Sequence, residues 1–162
     1  MTAFTICDIR QFTSKLFVRE TFDHFLVREA VIVTFNTFTI DGSVRRGYYS
    51  PDEQEAEQIG AFSSWRALRP FCFSLIRGKR LPESFSIVLR LPPDDTARLL
   101  AACRLPQQDA GLFLNIRYEN QRLRCITGVS LSSFSIDRTL EQEWDRRVEA
   151  FLRSEEIACT RD

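Results

Sequence analysis

One histidine, His24, is all the chain has, and no CxxC pair occurs among its cysteines at 7, 72, 103, 125 and 159. A lone imidazole cannot supply HExxH-type metal ligands. Without CxxC, a zinc ribbon and a thioredoxin-like redox motif are also excluded. Phosphate cradles are missing too. No GxGxxG occurs, and Gly78-Lys79 lacks the Walker glycine five residues earlier, where Phe73 stands. No GxSxG nucleophile elbow exists. No apolar run is long enough to cross a bilayer, and the start MTAFTICDIR has no basic-then-apolar signature of a signal peptide. Charge of either sign is not in excess: 22 basic and 22 acidic residues cancel. That balance argues against a surface given over wholly to nucleic acid or anionic membrane and leaves room for a local patch. An odd number of scattered cysteines points to free thiols and a reducing compartment, the cytoplasm. No cofactor is expected.

What the chain does have is core. Of its 162 residues, 44% are hydrophobic and 14 are phenylalanine, enough for a single packed domain spanning 1–162. Residues 3–7 suit a short buried strand. Asp8 then reads as a helix N-cap with Gln11 three positions on, and Ile9, Phe12 and Leu16 share a face up to about Val18. The stretch 25–40 is rich in Val, Ile, Phe and Thr without strict alternation, and 35–40 reads as strand. Asp41-Gly42 is a turn dipeptide, and 44–49 would be the returning strand of a hairpin. Residues 50–58 are acidic and can start a helix at Ser50 with Pro51 at its first position. In 59–82, basic and aromatic residues alternate. Pro70 is expected to interrupt any single helix there, with Gly78 and Pro82 marking the end. A strand at 85–91, a helix opened by Asp94 and Asp95, and two strands around a turn at 119–121 follow. SLSSFSID (130–137) reads as a third strand. A helix covers about 138–155, with Leu140, Trp144, Val148, Phe151 and Leu152 in one stripe, and the tail EEIACTRD is expected to fray.

TFNTFTID (34–41) and SLSSFSID (130–137) echo one another, each closing on Phe-Ser/Thr-Ile-Asp. Together with the shared element order they predict an α+β fold. Duplicated strand–helix–strands units, about 3–49 and 83–137, would form a curved, mainly antiparallel sheet with helices on one side. An intervening helical segment (50–82) and a C-terminal helix complete it. This order resembles one domain of the DNA sliding-clamp fold, although a clamp chain carries several such domains and strongly basic helices. Here Arg10, Lys15, Arg98 and Arg104 are offset by Asp94 and Asp95. The stretches TFNTFTIDG, SSWRALRPFCFSLIRGKR and YENQRLRCITGVSLSSFSIDRTLEQEWD resemble a bacterial family of small single-domain proteins with no established activity. That resemblance implies a full-length single domain and carries over no catalytic residue.

The candidate partner-binding face is the basic-aromatic stretch: Trp65, Arg66, Arg69, Arg77, Lys79 and Arg80, with Arg45 and Arg46 joining in space. Arginine grips phosphate or carboxylate bidentately, and tryptophan stacks on bases or anchors protein interfaces. The bland account puts Trp65 in the core and pairs the arginines with the acidic segment. A non-enzymatic binding module contacting nucleic acid or protein is therefore the leading expectation. Two alternatives stand beside it. One is a small enzyme in which His24, Asp23 or Asp41 and Tyr48 converge in a pocket. The other is a structural subunit of a homo-oligomer with Trp144 or Trp65 at its interface. Asp52, Glu53, Glu55 and Glu57 lack the spacing of a calcium loop and suit a helix start instead.

Overall fold

A computed structural model describes residues 1–162. The elements run β1 (Ala3–Ile6), α1 (Ile9–Phe17), β2 (Leu26–Val33), β3 (Thr37–Asp41), a 3-10 turn (Arg46–Tyr48), α2 (Pro51–Ala56), α3 (Trp65–Ile76), β4 (Ser84–Arg90), α4 (Pro93–Ala102), β5 (Ala110–Glu119), β6 (Arg122–Leu131), α5 (Thr139–Ser154) and β7 (Cys159–Arg161). Local chemistry accounts for many of the boundaries. The Asp8 side chain accepts the Gln11 amide at 3.0 Å and starts α1. Ser50 and Glu53 cap each other at the start of α2. Asn120 and Gln121, both at positive φ, make the two-residue turn that joins β5 to β6.

The seven strands form one antiparallel, curved sheet in the order β3-β2-β4-β5-β6-β1-β7. Its register divides the side chains cleanly. Phe4, Ile6, Ala30, Ile32, Phe85, Ile87, Leu89, Leu112, Leu114, Ile116, Leu123 and Cys125 are buried on one face. On that face lie Phe12, Leu16 and Phe17 of α1, Trp65 and Cys72 of α3, Leu99 and Leu100 of α4, and Leu140, Trp144, Val148 and Leu152 of α5, all in one hydrophobic cluster. Edge-to-face aromatic pairs lock the layers together, with Phe17 against Phe85 (5.3 Å) and Trp65 (5.9 Å), and Phe22 against Phe151 (5.4 Å). The opposite face carries Arg28, Glu29, Ser84, Ser86, Arg90, Asn115, Arg117 and Arg124, and no helix covers it. An α+β sheet with its helices on one side and a C-terminal helix is therefore the architecture.

Several local expectations are corrected. No hairpin follows Asp41. Gly42 instead passes against β2, where a Cβ would lie 1.7 Å from the Val27 carbonyl oxygen, and Ser43 bridges to Phe62. Gly42 is thus needed for close approach and not for a turn. Within 44–49 the chain makes the 3-10 turn Arg46–Tyr48 and no strand. α3 runs through Pro70 unbroken; the site lies on the exposed side of the helix, where the loss of one amide donor is tolerated. SLSSFSID is not a strand beyond Leu131: Phe134 and Ile136 stand 93% and 87% exposed in a loop. The tail does not fray, because β7 pairs with the outer edge of β1. The order strand–helix–strand–strand does occur twice, but the two sets are not equivalent in the sheet. β4 sits between β2 and β5, whereas β1 sits between β6 and β7.

Candidate functional site

The uncovered sheet face holds a cleft of about 780 Å³. Strand alternation aims its walls. Leu89 and Leu91 point into the core, so Arg90 between them must project outward. Phe113 is its cross-strand neighbour on β5. The Phe113 ring lies over Gly111, where a Cβ would come within 2.5 Å of it, so a bare glycine lets the phenyl group lie along the strand. Phe62 arrives through its bridge to Ser43. The Arg90 guanidinium carbon stands 5.8 Å from the ring centres of both Phe62 and Phe113, and that of Arg28 stands 5.3 Å from Phe113. Two cations thus converge on one aromatic ring.

Protein partners satisfy these cations poorly. Arg90 makes one long hydrogen bond, Nη2 to the Ala110 carbonyl at 3.4 Å, and lies 3.9 Å from the exposed Asp109 carboxylate. Its Nε is buried without a partner. Arg28 is exposed and enters no ion pair. Thr39, Ser43, Ser130 and Ser132 add hydroxyls, and Glu29, Asp41 and Asp109 add carboxylates. The Ser43 amide donates to Asp41 at 2.8 Å and holds that carboxyl below its ordinary range.

The basic-aromatic stretch is divided. Trp65 is fully buried, and its Nε1 donates to the Leu16 carbonyl at 2.8 Å, so it presents nothing to a partner. Arg69 is committed to a bidentate pair with Asp23 (2.9 Å for each bond) and to the Val18 carbonyl at 3.0 Å. Arg66 is exposed at the start of α3 and Arg77 at its end, separated by a rise of roughly 16 Å for a helix of this length. Arg45 precedes and Arg46 opens the 3-10 turn, and the Val44 amide just before them donates to the Ala61 carbonyl at 2.8 Å, so they too lie toward the start of α3. What does come together is Arg77, Lys79 and Arg80. They line a groove of about 470 Å³ with Phe35 (85% exposed) and Leu81 (84% exposed). Gly78, at φ +136°, turns the chain there. None of these cations pairs with the acidic segment 52–57 or with any other carboxylate.

The residues proposed for an enzyme do not meet. His24 packs at a tilt on Phe25 (4.2 Å) and edge-to-face on Phe151 (5.7 Å) in a small cavity with Asp95 and Arg147. Burial lowers its pKa, against the pull of Asp95, Glu155 and Asp23. Asp23 is held by Arg69, Asp41 lines the open-face cleft, and Tyr48 meets Tyr49 edge-to-face at the surface. Asp52, Glu53, Glu55 and Glu57 do not converge, and no three His, Cys, Asp or Glu side chains gather as metal ligands would. Burial pushes the Cys72 thiol up to about 11 and raises Cys103, Cys125 and Cys159 as well, which leaves them poor nucleophiles. No helix is long and apolar enough to cross a membrane.

The cleft residues Arg28, Arg90, Phe62 and Phe113 escape a reading by motif, because they come from four separate segments. One signal was present. An arginine inside an alternating apolar strand, as in LVREAVIV and SFSIVLR, marks the sheet face that the core does not use.

Comparison with known proteins places the chain without assigning it an activity. Residues 15–160 match a family of unknown function, DUF5721, and the chain belongs to that family. No curated protein and no solved structure matches it.

Proposed function

We propose that this protein is a non-catalytic binding module that docks an acidic, partly apolar protein segment in the groove at the end of α3. One observation carries the reading: Arg77, Lys79 and Arg80 stand without carboxylate partners beside the exposed Phe35 and Leu81. Unpaired cations around solvent-exposed apolar side chains favour a partner that supplies both carboxylates and hydrophobic anchors. Protein is favoured over nucleic acid because the tryptophan suited to base stacking lies in the core, and because Leu75, Ile76 and Leu81 in the groove are aliphatic. The five unpaired thiols support a reducing compartment, the cytoplasm, as the setting in which the module works.

Fluorescence anisotropy with three labelled probes tests this: a peptide of alternating acidic and large apolar residues, an acidic peptide without apolar residues, and a single-stranded oligonucleotide. The mixed peptide is expected to bind at least about tenfold more tightly than the purely acidic one. The charge-reversed variant Arg77→Glu/Lys79→Glu/Arg80→Glu is expected to lose that binding. Binding of the oligonucleotide alone, with a steep salt dependence, would replace the protein partner by nucleic acid. Failure of every probe would remove the groove as a docking face.

A further inference from the structure

The cleft on the uncovered sheet face lies apart from the α3 groove and asks for a different ligand. Arg28 and Arg90 bring ten N–H donors to one phenyl ring, and their only hydrogen bond to protein is the 3.4 Å contact from Arg90 to Ala110. If Arg90 served packing alone, methionine would fill the gap between Phe62 and Phe113 without leaving a buried Nε unpaired. The ring contacts offset part of that cost, but apart from the long Arg90 bond to Ala110 they leave the terminal N–H groups of both guanidiniums without hydrogen-bond partners. Those groups match a planar carboxylate or a phosphate.

The rest of the lining narrows the choice. Thr39, Ser43, Ser130 and Ser132 can exchange hydrogen bonds with hydroxyls. Glu29, Asp41 and Asp109 accept from hydroxyl or amine donors and repel a ligand of high negative charge, so a polyanion such as nucleic acid is a poor occupant. The volume, about 780 Å³, is that of a small-molecule site. We propose that this cleft binds a small molecule carrying a single carboxylate or phosphate group on a hydroxyl-bearing body, as in a sugar acid or a sugar monophosphate. The anionic group would sit between Arg28 and Arg90, with the hydroxyls against the serines and carboxylates.

An NMR titration that follows the arginine side-chain N–H resonances provides the test, with gluconate, a hexose monophosphate, free glucose and inorganic phosphate added separately. Saturable shifts at Arg28 and Arg90 are expected with gluconate or the hexose monophosphate, and the stronger of the two identifies the head group. Glucose and inorganic phosphate should each bind at least about tenfold more weakly than the better of these ligands. Arg28→Gln, at an exposed position that leaves the core intact, should weaken binding by about tenfold with an unchanged far-UV circular dichroism spectrum. The triple variant of the α3 groove should bind as the wild type does, so this site stands or falls independently of the docking face. The proposal is overturned by an absence of saturable shifts with all four compounds. Equal response to inorganic phosphate alone, or unchanged binding by Arg28→Gln, would also overturn it.

Discussion

The sequence leaves Trp65 open between a partner-binding anchor and a core residue, and reads Arg69 as exposed on either account. What moves them inward is chemistry from distant positions. The indole finds the Leu16 carbonyl at the end of α1, and the guanidinium finds the Asp23 carboxylate. A spacing of three residues tells that Arg66 and Arg69 share a helical face, but only the partner across the gap decides whether that face is dry. The Trp65 bond makes a direct prediction. Trp65→Phe keeps an aromatic ring against Phe17 but orphans the buried Leu16 carbonyl, which should cost about 1–3 kcal/mol. Trp65→Ala adds a cavity and should cost roughly 3–5 kcal/mol. Urea unfolding reads both values, and a negligible loss for Trp65→Phe would show that the carbonyl needs no indole.

At the scale of elements, the parts legible in the sequence are those whose signal is local. α1 and α2 carry caps within three residues of their starts, α4 opens on Pro93-Asp94-Asp95, and the β5–β6 turn sits where the strand pattern breaks. Elements defined by what lies beside them cannot be told apart from local sequence. FTID in β3 is a strand because β2 offers it an edge, whereas FSID at 134–137 meets no edge and stays a loop, though the two sequences differ only by the methyl group of a threonine against a serine. The cleft is illegible for the same reason, since Phe113 meets Arg90 only once β4 and β5 have paired and Phe62 only once it bridges to Ser43. The C-terminal strand is the sharpest case. Phe4, Thr5 and Ile6 pair with Arg161, Thr160 and Cys159, and Thr5 bonds Asp162 at 2.9 Å. Deleting residues 159–162 should therefore lower the unfolding free energy by about 1–3 kcal/mol, as the loss of several ladder bonds at net worth about 1 kcal/mol each implies. A tail that merely frays would leave the denaturation midpoint where it was.

For the whole molecule, the question is whether the repeated element order reflects two separable halves. The sheet answers through its pairing. β1 has β6 and β7 as its neighbours, and β2 has β4 beside β3, so every strand pairing except β2–β3, β4–β5 and β5–β6 joins segments far apart in the chain. A piece comprising residues 1–82 holds β1 with no partner at all, and its β2–β3 hairpin has one covered face and an open edge where β4 belongs. An isolated two-stranded hairpin is at best marginal in water. The core has the same geometry, since Phe17 of α1 packs on Phe85 of β4, and Phe22 packs on Phe151 of α5. Fragment 1–82 expressed alone is thus expected to give the collapsed NMR amide spectrum of an unfolded chain. Adding fragment 83–162 should restore dispersion and a single cooperative thermal transition, because the missing strand partners and the other half of the aromatic cluster then arrive together. A dispersed spectrum from 1–82 by itself would mean that the first strand–helix–strand–strand unit carries its own core, and that the interleaved order of β4 and β1 is not what holds the fold together.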